Sequence, residues 1–260
     1  MRMLFIGDVV GRPGRRGLAA AMPALRERHL PDIIVVNGEN AGGGVGITGE
    51  TAAEIFDAGA DAITLGNHTY RHREVYAYLD SEQRIVRPAN FPASNPGRGH
   101  TIVDAAGMRL AVVNLSGMLH LSVERSPFPV ADELVEALKG RADAIVVDFH
   151  AELTSEKVAM GWHLDGRAAA VLGTHTHVPT ADARVLPGGT AHMCDVGMTG
   201  SRDGVIGVKR EQALAGFRTQ MPVRFESAEE NVWVMGASVE IGGDGLARSI
   251  EQLLVPVDGV

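Results

Sequence analysis

Asp8, the pair Glu39-Asn40, the pair Asn67-His68, His150, and the pair His175 and His177 each stand directly behind a short apolar run. Carboxylate, amide and imidazole are the oxygen and nitrogen donors of metal ions, and imidazole also carries a proton near neutral pH. Each residue alone has a plainer use. Asp8 and Asn67 can cap a following helix. His150 can be a satisfied core histidine, and Glu39-Asn40 can open an Asx-type turn into the glycines of VVNGENAGGGVG (35–46). Their recurrence at one strand end after another points elsewhere. Two carboxylates, two amide carbonyls and three imidazoles supply enough donors for two metal ions with coordination positions left open. Such a set without thiolate suits Fe, Mn or Zn in a catalytic site, not a structural cysteine-zinc site. Alternate residues of a strand share a face, so His175 and His177 are expected to converge on one ion.

The runs that carry these residues are RMLFIG (2–7), DIIVVNG (32–38), DAITLG (61–66), MRLAVVNL (108–115), DAIVVDF (143–149) and AAAVLG (168–173). Segments with helical spacing lie between them at 15–29, 50–59, 72–81, 131–140 and 155–164. This alternation predicts an α/β fold with a largely parallel sheet and right-handed crossovers. The candidate donors then gather along one edge of that sheet, beyond the carboxyl ends of the strands, where open α/β sheets bind ligands. Farther on, 183–194 reads as a hairpin around Pro-Gly-Gly, and 231–241 with 247–257 as a closing antiparallel pair. No linker or repeat interrupts the chain, so one domain over 1–260 with mixed sheets is expected.

The totals narrow the partners. Lys and Arg number 24 against 32 Asp and Glu, a formal charge of −8. That balance argues against an extended nucleic-acid surface, which needs clustered cations. A small phosphorylated substrate stays compatible, because bound metal inverts the sign of a site locally. The single cysteine, Cys194, permits no internal disulfide and fits a reducing compartment. Asp8 interrupts the N-terminal apolar run too early for a signal segment, and no uncharged apolar stretch is long enough to span a membrane. The expectation is a soluble, cytoplasmic protein, with a homo-oligomer left open.

GNH at 66–68, the lone His150 behind a strand and GTHTH at 173–177 resemble the calcineurin-like metallophosphoesterases. A finer resemblance, to the YmdB-like branch of that superfamily, covers nearly the whole chain. It is carried by GDVVGRPGR (7–15), NGENAGGGVGIT (37–48), DFHAE (148–152), TSEK (154–157), GTHTHVPTAD (173–182) and DVGMTG (195–200). The resemblance implies two facing β-sheets sandwiched by helices. It also implies a di-metal phosphodiesterase, with iron or manganese bound, acting on 2′,3′- and 3′,5′-cyclic nucleotides; the donor types admit zinc as well. Two departures stand out. Asp8-Val9-Val10 replaces the usual Asp-x-His, and Asn40 is positioned to make up the missing ligand. Thr69 follows GNH where an acidic residue is common, which leaves the acidic partner of His68 unassigned.

On that basis one ion takes Asp8, Glu39, Asn40 and His177, and the other takes Glu39, Asn67, His150 and His175, with Glu39 bridging. Two such ions share a hydroxide for in-line attack on phosphorus. His68 is then the general acid for the departing ribose oxygen, and Asp195 a partner for one of the imidazoles. Substrate contacts are unassigned. Candidates are His120, in SGMLHLS, and Arg12, in GRPGRR, for which a solvated helix start is the competing use. Three rival readings remain: a dinucleotide site at GVGITG (44–49), a signalling or RNA-associated regulator with incidental catalysis, and a barrel amidohydrolase built on the His-x-His pair.

Overall fold

The computed structural model describes residues 1–259. In chain order its elements are β1 (Arg2–Ile6), β2 (Asp8–Val9), α1 (Gly11–His29), β3 (Ile33–Asn37), α2 (Gly49–Asp57), β4 (Ala62–Thr64), α3 (Val75–Ser81), β5 (Ile85–Val86), β6 (His100–Ala105) and β7 (Met108–Ser116). They continue as α4 (Pro127–Leu138), β8 (Ala144–His150), α5 (Thr154–His163), β9 (Ala170–Thr174), β10 (Arg184–Val185), β11 (Ala191–Met193), β12 (Met198–Ser201), α6 (Arg210–Thr219), β13 (Val232–Ile241) and β14 (Ala247–Pro256). The 183–194 hairpin and the closing pair β13–β14 form as their sequences predict.

The strands divide between two sheets. One runs β2-β12-β13-β1-β3-β4-β5, with β14 on β13; the other runs β10-β11-β9-β8-β7-β6. Strand alternation explains why they stack. In β1 and β3, Met3, Phe5, Ile33 and Val35 face one way and pack with Leu110, Val112, Val146 and Leu172 of the second sheet. Their neighbours Leu4, Ile6, Ile34 and Val36 face the other way, onto Leu18, Ala21, Met22 and Leu25 of α1 and Ile55 of α2. Residues 18, 21, 22 and 25 form one helical stripe. On the second sheet Val113, Val147 and Phe149 likewise meet Val130, Leu138 and Met160 of α4 and α5. Full burial of such a side chain contributes about 1.5–3 kcal/mol, so strands apolar on both faces require both covers. The result is a helix-sheet-sheet-helix sandwich.

One expectation is corrected here. The candidate donors do not lie along one edge of a single sheet. Asp8, in β2, and Glu39 and Asn67, which follow β3 and β4, belong to the first sheet; His150, which ends β8, and His175 and His177, which follow β9, belong to the second. The second sheet starts where β6 and β7 pair antiparallel, and apolar content does not reveal which sheet a buried strand joins. The short β5 and β12 lie outside the runs read from the sequence, as does α6, which buries only Ala213 and so has no apolar stripe to show. No helix among the described residues is long and apolar enough to cross a membrane.

Candidate metal and phosphate site

The polar residues of the site continue the alternation of the inter-sheet core. In β3 the core-facing series Ile33, Val35 is followed by Asn37 and then Glu39. In β8, Ala144 and Val146 are followed by Asp148 and His150, and in β9, Ala170 and Leu172 by Thr174. Each strand switches from apolar to polar on the same face at its carboxyl end. The two facing sheets thereby cap their shared core with one buried polar layer. Asp8, Asn37, Glu39, Asp148, His150 and Thr174 are all fully buried.

Hydrogen bonds within this layer fix the orientation of the histidine rings. Thr174 donates its hydroxyl to Asp148 Oδ1 at 2.7 Å, so its oxygen accepts from His150 Nδ1–H at 2.9 Å. Asn37 Nδ2 donates to Asp148 Oδ2 at 2.8 Å, and Asn37 Oδ1 accepts from the Glu39 amide at 3.0 Å. With Nδ1 donating to Thr174, His150 turns Nε2 toward two acceptor oxygens, Glu39 Oε2 at 2.9 Å and Asn67 Oδ1 at 3.0 Å, a setting that takes a proton or a cation between them. His177 repeats the pattern. Its Nδ1–H donates to the Ile206 carbonyl at 2.9 Å, and Nε2 faces Asp8 Oδ1 at 3.6 Å and the Asn40 amide at 3.1 Å. An imidazole whose second nitrogen is held by such an acceptor is prepared to ligate through the first.

Two trios therefore face inward: Glu39, Asn67 and His150, and Asp8, Asn40 and His177. No group of three or more His, Cys, Asp or Glu side chains among the described residues stands in a metal-holding arrangement. Each trio has only two members of those types and is completed by an amide. Asn40 turns Nδ2 toward His177, so ligation through its oxygen requires the amide to turn over. His175 is not in either trio. Its Nε2 pairs with Glu152 Oε2 at 2.9 Å, while its ring lies against that of His150, centroids 4.7 Å apart. β9 ends at Thr174, and His175 and His177 have φ of 94° and 65°. The strand geometry expected to bring them onto one ion is absent, and the two rings diverge.

Charge balance in the layer calls for cations. Burial alone raises the carboxyls of Asp8 and Glu39, yet nearby imidazoles outweigh it: His177 and His150 hold Asp8 well below the usual range, and His150 and His68 hold Glu39 at about 2. Asp148 goes the other way, pushed up to about 6 by burial against the pull of His150. Burial disfavours charge on His150, but Glu39 and Asp8 raise it to about 9. Burial and the His150 charge push His175 down to about 4. Asp8 Oδ1 is buried without a hydrogen-bond donor, and Glu39 Oε2 faces only the His150 imidazole. Uncompensated buried charge costs several kcal/mol per ion, so these oxygens and the facing Nε2 atoms suit positive charge between them, whether a proton or a metal ion.

The glycines divide by role. A Cβ on Gly66 would overlap Glu39 Oε2 and the His150 ring, so the glycine of GNH makes the room in which those two meet. The loop glycines do not cradle a phosphate. Gly42 N–H donates to Gly46 O at 2.6 Å, Gly43 to Ala41 O at 3.0 Å and Gly44 to Asn40 O at 3.1 Å, so their amides are spent inside the turn. In GVGITG (44–49) this occupies the amide of the first glycine, Gly44, and the sandwich removes the structural basis of the barrel reading.

Among the other candidates, His68 is 38 % exposed, with Nδ1 2.8 Å from Glu39 Oε1. Its backbone N–H donates to the same oxygen at 2.7 Å. Glu39 thus stands where the missing acidic partner was sought, while Thr69 is buried and donates to Gly66 O at 2.7 Å. Asp195 touches no imidazole; it holds Lys157 and Thr176. Arg12 is exposed at the start of α1, and His120 is exposed on the loop after β7. Arg15 braces the glycine loop by donating to Ala41 O and pairing with Glu54 at 2.6 Å. Sequence reasoning missed Asn37, Asp148, Thr174 and Glu152. Asp148 had a signal, standing two residues before His150 on the same strand face; Thr174 had none.

The chain matches the family model described as YmdB-like protein over residues 4–253. It is 48 % identical over 259 residues to the 2′,3′-cyclic-nucleotide 2′-phosphodiesterase of Bacillus subtilis, covering 99 % of this chain and 98 % of that protein. A putative phosphatase/phosphodiesterase of Mycoplasma pneumoniae is 35 % identical, over 93 % of this chain and 88 % of its own. Among solved structures, a hypothetical protein from Thermus thermophilus superposes with TM-score 0.93 at 41 % identity, over 99 % of this chain and 100 % of that one. A novel phosphatase from Mycoplasma pneumoniae gives 0.92 at 33 % identity, over 100 % and 95 %. A 5′-nucleotidase precursor, also from Thermus thermophilus, at 14 % identity and TM-score 0.60, shares the fold over 98 % of this chain and 54 % of its own.

Proposed function

Because the chain belongs to the YmdB-like family, we propose that it is a metal-dependent phosphodiesterase that opens 2′,3′-cyclic nucleotides, with 3′,5′-cyclic nucleotides as further substrates. The observation that carries this reading is the convergence of His150 Nε2, Glu39 Oε2 and Asn67 Oδ1 at 2.9 and 3.0 Å, with Nδ1 held by Thr174. Asp8, Glu39, Asn40 and His177 would hold one divalent ion, and Glu39, Asn67, His150 and His175 the other, with iron or manganese as the family resemblance implies and zinc compatible with the same donors. His175 joins by turning Nε2 away from Glu152. Such an ion pair supplies Lewis-acid polarisation of the phosphoryl oxygens and an activated water.

The chain's own residues do the rest. Glu39 fixes His68 through both its backbone N–H and Nδ1, which leaves Nε2 to face the leaving group. Ring opening by water forms a P–O bond, releases one proton of that water to solvent, and breaks the bond from phosphorus to the 2′ oxygen. Nε2–H of His68 donates the proton that makes that oxygen a hydroxyl, and the 3′-phosphate remains. Removal of a positioned general acid costs about 10²–10⁴-fold in rate.

The test is a pair of variants assayed for metal content and for hydrolysis of 2′,3′-cyclic AMP. His68→Ala is expected to keep its metal and lose turnover. Glu39→Ala is expected to lose both ions. Full metal occupancy in Glu39→Ala would rule out the bridge, and metal loss in His68→Ala would rule out its role as acid.

A further inference from the structure

Lys157 and Asp195 form an ion pair in which both side chains are 1 % exposed, with Nζ 2.7 Å from Oδ2. Nothing in the chemistry above uses it. Lys157 lies in the first turn of α5, the helix that follows His150, and Asp195 lies between β11 and β12. Both reach Thr176. Its N–H and its hydroxyl donate to Asp195 Oδ2 at 3.1 and 2.6 Å, and Lys157 Nζ donates to Thr176 Oγ1 at 3.2 Å. The second Asp195 oxygen accepts the Gly197 N–H at 2.8 Å. A Cβ on Gly173 would overlap the Cys194 carbonyl and touch the Lys157 stem at 3.0 Å, so the glycine of GTHTH lets the segment before Asp195 and the Lys157 side chain pass close to β9.

Thr176 stands between two histidines in a backbone region that non-glycine residues seldom occupy. Left to extend, the chain would put His175 and His177 on one face. Held inward at Thr176, it sends His175 against His150 and His177 toward Asp8. We infer that the buried Lys157–Asp195 pair is a positioning device: it clamps Thr176 so that the two histidines serve different halves of the site. The desolvation of a buried ion pair offsets most of its attraction, so fixing registry is a better account of it than net stability. The inference rests on the metal-site reading and concerns which residues shape that site.

The experiment compares the full-length wild type with Thr176→Val, Thr176→Ser and Lys157→Met. Mn²⁺ is titrated by calorimetry, electron paramagnetic resonance distinguishes a coupled Mn²⁺ pair from isolated ions, and thermal unfolding is followed without metal. Thr176→Val is expected to fold and to bind at least one ion about 10–100-fold more weakly, losing the coupled-pair signal, while Thr176→Ser recovers to within about threefold. Lys157→Met is expected to show the same weakening with a lower Tm. If Thr176→Val, or a folded Lys157→Met, binds both ions as the wild type does and only its Tm moves, the clamp is overturned and the metal site stands. Wild type that binds no Mn²⁺ overturns the metal reading and the clamp with it.

Discussion

Gly66→Ala tests the site by geometry alone. Gly66 is not among the residues with positive φ, so alanine meets no backbone penalty there. What it meets is Glu39 Oε2 and the His150 ring, both nearer than the 3.0 Å that real Cβ atoms essentially never undercut. Both neighbours are 0 % exposed and cannot swing into solvent. Restoring contact requires Glu39 or His150 to move by about 1 Å or more, and displacement on that scale costs about 10²-fold in rate. Overpacking of this kind destabilises by about 1–3 kcal/mol. At about 2–4 °C per kcal/mol for a chain of this size, Tm falls by about 2–12 °C. The assay is kcat/KM on 2′,3′-cyclic AMP beside metal content and Tm, with Gly43→Ala as control. Gly43 has φ 74° but nothing within 4 Å of a Cβ. Its substitution therefore costs about 1–2 kcal/mol of backbone strain and leaves kcat/KM near wild type. If Gly66→Ala keeps full metal content and wild-type kcat/KM, Glu39 and His150 do not meet in the working site.

Thr174→Val removes the acceptor that keeps the His150 proton on Nδ1, 2.9 Å away; affinity for the ion held by His150 should fall about 10–100-fold, read by Mn²⁺ titration, with the serine variant recovering it. Burial pushes the Cys194 thiol up from 9.0 to about 11, so at pH 8 the native protein should react with a disulfide reagent about 100-fold more slowly than the urea-unfolded chain; equal rates would place Cys194 in a different environment. Arg15→Ala frees the Ala41 carbonyl and Glu54 while touching no donor; metal binding should persist, and the glycine loop should show faster amide exchange.

The donor types and their positions behind strands are legible because a buried strand ends abruptly: Ile33 to Val36 give way to Asn37, Gly38 and Glu39 within three residues. The two-residue alternation was equally open to view. Val146, Asp148 and His150 share a face, so the carboxylate that fixes a histidine's ring orientation through Thr174 was visible two positions away. What the sequence withheld depends on contacts between distant segments. The parting of the strands into two sheets is decided by packing between Phe5 and Val35 on one side and Val112 and Val146 on the other, and either set could pack on any apolar face. The turn through 175–177 was hidden for a different reason. Left-handed backbone is normally flagged by glycine, but here two histidines adopt it, each at a cost of about 1–3 kcal/mol. A local rule therefore reads His-Thr-His as continuing strand. Lys157 and Asp195, 19 residues away on either side of Thr176, hold the turn together with Asp8, which accepts the His175 N–H, and none of these lies in a motif that announces the turn.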